Sequence, residues 1–333
     1  MEKSIIAVPM GDAAGVGPEI IVKAWGNPVL SHSRLFVIGE RGVMERACAI
    51  CGVKASVHCL GDIREAIFEP GVINLFNMDN LDMGGFRFGE ISAICGKAAY
   101  ACIAKSIELA MAKKVDAIAT PPINKESFRL AGIDYIGHTE VFGALTDTED
   151  PLTMFEVHGM RVFFLTRHVS LRRSCDLITK ERIVSYGKRC IEALHKLGVA
   201  HGPMAVAGLN PHCGEHGLFG DEEGSQIEPA VKELQDSGFD VVGPISADSV
   251  FFQALRGKYS SVLSLYHDQG HIACKTLDFD RTISVTVGMP VLRTSVDHGT
   301  AFDIAGQGTA SEASMVEAIL VAEKYAPYYT GSA

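Results

Sequence analysis

Short runs rich in β-branched residues alternate with amphipathic helical stretches along almost the whole chain, and this alternation constrains the fold more than any other feature. Ser4-Ile-Ile-Ala-Val8 precedes a helical pattern from Gly17 to Trp25, and Leu35-Phe-Val-Ile38 precedes another from Arg41 to Cys51. Ala98 to Ala112 reads as a long amphipathic helix and Ala117-Ile-Ala119 as a buried strand. Val162-Phe-Phe-Leu165 is followed by a helical stretch from Lys180 to Leu197. Ala205-Val-Ala207, Val262-Leu-Ser-Leu265 and Ile283-Ser-Val-Thr-Val287 read as strands that end at polar or glycine-rich loops. Such alternation gives an α/β fold with a largely parallel sheet. Ligands of these sheets collect at the carboxyl ends of strands, where the motifs richest in chemistry fall here.

At 333 residues the chain is long enough for two domains. Its 30 Lys plus Arg stand against 40 Asp plus Glu, a net charge of −10, so nothing in the overall field attracts a nucleic acid or an anionic membrane. No apolar run reaches the ~18 residues of a membrane span. The opening Met1 to Asp12 has no basic segment followed by a long apolar one, so a cytoplasmic protein without a secretory leader is expected. The 9 cysteines are scattered and odd in number, and read as reduced thiols. Cys48-Ala-Ile-Cys51 has the spacing of a redox or zinc pair, yet no second pair completes a zinc site. It falls where a helix ends at Gly52 and reads as chance spacing.

Met10-Gly-Asp-Ala-Ala-Gly-Val-Gly-Pro-Glu19 is a glycine-rich turn between a strand and a helix, with Pro18 suited to the first helical turn. It is not a dinucleotide fingerprint, because Ile20 stands where the third glycine belongs. Gly15 and Gly17 instead mark a tight turn that lets the backbone approach something closely. His138, His168, His212 and His267 stand in loops at expected strand ends. Each alone reads as a hydrogen-bonded structural histidine, since no local zinc spacing is present; their shared placement makes a metal triad a matching alternative. Lys275, Arg281 and Arg293 form a basic cluster in an acidic chain, on strands or the loops between them. Arg293 lies between Met289-Pro-Val-Leu292 and Thr294-Ser-Val296, and burying it there invites a phosphate or carboxylate. His298-Gly-Thr-Ala-Phe-Asp-Ile-Ala-Gly306 reads as a loop turning into a helix, able to grip a nucleotide or simply capped by Thr300.

Taken in order, Gly-Asp-x-x-Gly-x-Gly-Pro-Glu, Gly-His-Thr-Glu, Asn-Pro-His, Tyr-His-Asp-Gln-Gly and Arg-Thr-Ser-Val-Asp-His-Gly-Thr-Ala resemble the 4-hydroxythreonine-4-phosphate dehydrogenase family over nearly the whole chain. The opening turn and the His-Gly-Thr-Ala loop also resemble the isocitrate and isopropylmalate dehydrogenases. The resemblance implies a two-domain fold of that type, with mostly parallel sheets flanked by helices and an active site in the interdomain cleft. Residues 1–125 and 292–333 would build one domain and 126–291 the other. It implies NAD or NADP at Gly15, Gly17, His298, Gly299, Thr300 and Ala301, and one divalent metal (zinc, cobalt or magnesium) on His168, His212 and His267. His267 would be donated across a homodimer with composite active sites. His138, Thr139, Lys275, Ser284 and Arg293 match substrate-contacting positions, Lys275 with a catalytic role, and Asp248 in Ser-Ala-Asp-Ser resembles a polar catalytic position. Ser284 stands where the family has Asn.

The family's chemistry is oxidation of a 4-phosphorylated 3-hydroxy acid with decarboxylation. Glu215-His-Gly-Leu-Phe-Gly-Asp-Glu-Glu223 and Asp268-Gln-Gly-His-Ile272 resemble the branch acting on 4-phospho-D-threonate or D-erythronate, which would yield dihydroxyacetone phosphate. The alternative is the 4-phosphohydroxy-L-threonine dehydrogenase of pyridoxal phosphate biosynthesis. A third branch takes aromatic dihydrodiol carboxylates. A non-catalytic sugar-phosphate sensor would bring a DNA-reading or partner domain, which the sequence lacks. A metal-dependent hydrolase would have no use for the His298–Gly306 loop.

Overall fold

The structure, a computed structural model, describes residues 3–199 and 201–329. The first stretch contains strands β1 (Ile5–Pro9), β2 (Arg34–Gly39), β3 (Ser56–Leu60), β4 (Val72–Asn77) and β5 (Ala117–Thr120). Among them run helices α1 (Gly17–Trp25), α2 (Arg41–Cys51) and α3 (Ala93–Met111), followed by α4 (Lys125–Leu130) and α5 (His138–Leu145). The middle stretch contains β6 (Leu152–Val157), β7 (Met160–Phe164), β8 (Met204–Ala207), β9 (Val241–Ile245), β10 (Ser261–Ser264) and β11 (Ile283–Val287). Its helices are α6 (Leu171–Leu177), α7 (Lys180–Lys196), α8 (Glu228–Asp236), α9 (Ala247–Leu255) and α10 (His267–Leu277). The chain closes with β12 (Arg293–Val296) and α11 (Ala313–Tyr325).

Contacts divide the chain into two compact units, Met1–Pro151 with Met289–Ala333, and Leu152–Gly288. In the first, the strand order is β3-β4-β2-β1-β5-β12 and each neighbouring pair is parallel. Strands buried on both faces carry continuous apolar runs, as Leu35, Phe36, Val37 and Ile38 do here. In the second unit the order is β11-β6-β7-β10-β8-β9. β7, β10, β8 and β9 run parallel, whereas β11, β6 and β7 are antiparallel. The β6–β7 reversal is a two-residue hairpin with positive φ at both His158 (49°) and Gly159 (82°), the geometry that matches strand twist. No helix among the described residues is long and apolar enough to cross a membrane.

Helices α4 and α5 group with the chain ends, although the sequence reading places residues from 126 onward in the middle domain. The reason is close packing on α3. A Cβ on Gly96 would lie 2.2 Å from the Ser127 carbonyl oxygen, so α4 sits directly on the α3 backbone. Phe128 and Phe142 are buried. Three further expectations change. Lys275 lies on α10 rather than on a strand, because the segment buries Gly270 and Cys274 at helical i, i+4 spacing, a row next to that of Lys275. His138 opens α5 after Gly137 instead of occupying a strand-end loop. Residues 298–306 stay in turns, and helix resumes only at Ala313. Alanine in a helix interior ordinarily gains stability over glycine. At position 96 the overlap reverses the sign: Gly96→Ala should destabilise by about 1–3 kcal/mol, read as a lower urea midpoint.

Candidate functional site

In the first unit, the loops that follow β1, β5 and β12 leave the same edge, because these strands are parallel. The turn after β1 packs against the loop after β12: Val16 N–H donates to the Thr300 carbonyl at 3.0 Å. A Cβ on Gly15 would lie 2.9 Å from that carbonyl oxygen. What Gly15 lets approach is thus another loop of the same chain. Gly17 is buried, and a Cβ there would lie 2.9 Å from the Met10 carbonyl oxygen. Glu19, 1% exposed, accepts from Gly306 N–H at 2.5 Å and from Gly308 N–H at 2.7 Å, tying the C-terminal loop to α1. Beside them lie half-buried His298, whose Nδ1 is 2.9 Å from the Gly299 carbonyl, and exposed Gly299, with open space where a Cβ would stand. Ala301 takes a left-handed φ of 44°, a conformation alanine adopts only under constraint.

Two cation-forming groups lie buried near one another in this unit. Arg293 on β12 is 4% exposed; its Nε donates to Thr120 Oγ1 at 3.0 Å and its guanidinium carbon lies 5.4 Å from the Phe142 ring centre. Burial pushes Arg293 down to about 9, with Asp297 partly opposing. His138 is 9% exposed and its Nε2 has no hydrogen-bond partner. Burial, reinforced by the Arg293 charge, holds its pKa well below 6.5. Thr139 follows it, half-buried. Thr120 was not singled out by sequence; only the β5–β12 register, which pairs Ser295 with Thr120, brings it to Arg293.

In the second unit, β7, β8 and β10 are parallel and their carboxyl ends carry the remaining histidines. His168 and His267 have ring centres 6.1 Å apart and line one open recess of about 500 Å³ with Arg167, Ser170, Tyr266 and Asp268. Asp268 Oδ1 lies 2.7 Å from His267 Nδ1, which leaves Nε2 as the outward nitrogen. His271, one helical turn on, stacks on His267 with ring centres 3.6 Å apart. His212 lines a separate recess with Asn210, Ser246 and Asp248. Among the described residues, no group of three or more His, Cys, Asp or Glu is gathered closely enough to hold an ion. Ser284 on β11 pairs with Phe155, whose ring meets His271. Lys275 lies on the same row of α10 as His267 and His271, with its ammonium 5.0 Å from the Phe279 ring centre. Sequence reasoning passed over Gln269, which bridges two strand ends by accepting from Leu265 N–H at 2.7 Å and donating to the Gly208 carbonyl at 2.8 Å. It also passed over Glu223. Cys48 and Cys51 end α2 as free thiols, the latter pushed up to about 11 by burial.

His138 makes stability depend on pH. The unfolded chain protonates it near 6.5 while the folded one keeps it neutral, so acidification draws protons onto the unfolded state and stability falls. Lowering the pH from 7 to about 5 should depress the melting temperature, and His138→Gln should flatten that dependence. An identical pH profile for the two proteins would contradict this.

Comparison with known proteins agrees with the motif reading. A family model described as pyridoxal phosphate biosynthetic protein PdxA matches residues 31–322. A Fusobacterium nucleatum protein named "Putative D-threonate 4-phosphate dehydrogenase" is 60% identical over 97% of this chain and 98% of its own. A Clostridium botulinum (strain Hall) protein of the same name is 59% identical, over 98% of each chain. The solved structure of a 4-hydroxythreonine-4-phosphate dehydrogenase from Klebsiella pneumoniae is 41% identical and superposes with a TM-score of 0.91, over 97% of this chain and 98% of that one. With such matches spanning nearly its whole length, the chain belongs to the pyridoxal phosphate biosynthetic protein PdxA family.

Proposed function

We propose that the chain is a dehydrogenase that oxidises D-threonate 4-phosphate, or its D-erythronate epimer, at C3 and releases carbon dioxide and dihydroxyacetone phosphate. The observation that carries the phosphate assignment is the buried Arg293 beside His138, whose Nε2 lacks a partner. Burying the unpartnered Nε2 of His138 beside a guanidinium is costly, and an anion bound there would relieve it. A phosphate would accept from Arg293 and would draw a proton onto His138, making both bonds charge-assisted. Thr139, Lys275 and Ser284 are assigned further substrate contacts. Ser284, shorter than an amide side chain, leaves room at the substrate.

The donor set suits a divalent ion: imidazoles on strand-end mounts, with His267 oriented by the Asp268 carboxylate. We assign the ion to His168, His212 and a His267 donated by the partner of a homodimer. Exposed Phe252, Ile272 and Phe279 on the second unit supply apolar surface for such a partner. A bound divalent ion would acidify the C3 hydroxyl, and NAD or NADP at residues 298–301, backed by Gly15 and Gly17, would accept the hydride. Asp248, exposed in the recess of His212, is assigned the hydroxyl proton. The product, a 3-keto acid, then loses its C1 carboxylate as carbon dioxide and takes up a proton at C2.

The second reading, oxidation of 4-phosphohydroxy-L-threonine, is favoured by the 41% identity to the Klebsiella pneumoniae protein. Measuring kcat/KM for the three phosphorylated acids with NAD and NADP separates the two. The expected order puts D-threonate or D-erythronate 4-phosphate first, and a clear preference for the amino acid would overturn it. Arg293→Met should lower kcat/KM by ~10²-fold or more, with less effect on any unphosphorylated analogue. Mixing His168→Ala and His267→Ala subunits should regenerate activity in confirmed heterodimers. If it does not, His267 is not donated across an interface.

A further inference from the structure

The loop after β8 holds five successive residues with left-handed backbone: His212 (φ 52°), Cys213 (55°), Gly214 (76°), Glu215 (44°) and His216 (56°). Only Gly214 takes this conformation without steric cost; the others set Cβ against the following carbonyl. A run of this kind persists only where its surroundings over-determine it. Glu223, 2% exposed, supplies that constraint from the start of a π-helical turn, Glu223–Ile227. Its Oε1 accepts from Leu209 N–H at 2.8 Å and Asn210 N–H at 2.7 Å, the residues that lead into the left-handed run. Its Oε2 accepts from the Asn210 side-chain amide at 2.8 Å and lies 2.9 Å from where a Cβ on Gly214 would stand. Glu222 Oε2 accepts from the same amide at 2.7 Å. The carboxylate therefore touches both the entry and the middle of the strained segment.

We propose that Glu223 is the positioning residue for His212: by holding the entry to the left-handed turn, its carboxylate fixes the direction in which the imidazole leaves the loop. The inference rests on reading His212 as an ion donor. Glutamine at 223 keeps the volume but replaces one acceptor oxygen with an amide that must face an N–H group. The turn then relaxes and the ion loses one aligned ligand.

The test uses Co²⁺ as the probe on the full-length protein without substrate, read by equilibrium dialysis and by the ion's visible absorption. Glu223→Gln should bind Co²⁺ ~10–100-fold more weakly, the range seen when a ligand's orienting partner is lost. Adding Glu215→Gly and His216→Gly to that variant should recover part of the affinity, because glycine adopts the left-handed region freely. A purely structural carboxylate would give no such recovery, and its absence would overturn the proposal. Should Glu223→Gln fail to fold, Asn210→Ala removes one of the three bonds and should weaken Co²⁺ in the same direction; unchanged binding would overturn the proposal. His212→Ala separates the two claims. If it binds Co²⁺ as the wild type does, the donor reading itself is wrong. If it binds weakly while Glu223→Gln binds normally, only the positioning role is wrong.

Discussion

Parallel pairing of neighbouring strands obliges the chain to cross back after each one, so successive strands discharge their loops at one edge. In the first unit this brings the turn after β1 against the loop after β12, residues nearly the length of the chain apart. In the second it sets the loops after β7, β8 and β10 at one edge, each carrying a histidine. Residues that share no local spacing become neighbours through strand register alone. In the antiparallel β11–β6–β7 group only β6 runs against that direction, and the group serves also as a packed wall, with Phe155 and Phe164 against His271.

Buried carboxylates perform the same task in both units. Glu19 accepts from Gly306 and Gly308 N–H, and Glu223 accepts from Leu209 and Asn210 N–H. Each fastens an irregular glycine-containing loop to a helical start, in a position where an unmet N–H would otherwise be costly. The acidic surplus of the sequence is thus partly spent inside. The cation-forming groups are treated differently: Arg293 and His138 lie buried together, and both are driven toward their neutral forms.

The alternation of strands and helices was legible because it follows from hydrophobic period: α1 and α2 run over Gly17–Trp25 and Arg41–Cys51, and β11 over Ile283–Val287, as read. The strand-end positions of His168, His212 and His267 were legible because each follows an apolar run. The left-handed turn at residues 212–216 was not, since nothing in Cys213, Glu215 or His216 signals positive φ. Thr120, Gln269 and Glu223 were missed for a related reason: their roles arise from register and from main-chain groups, which have no side-chain signature. The placement of α4 and α5 was hidden too, because Gly96 marks a close approach without saying which segment approaches.

The most direct test of the account is an anomalous-difference map from crystals of the cobalt-loaded protein grown with inorganic phosphate. The account predicts one ion peak about 2.1 Å from imidazole nitrogens of His168, His212 and a His267, together with phosphate density at Arg293 and His138. An ion held away from those histidines, or phosphate bound elsewhere while Arg293 stays unengaged, would contradict it.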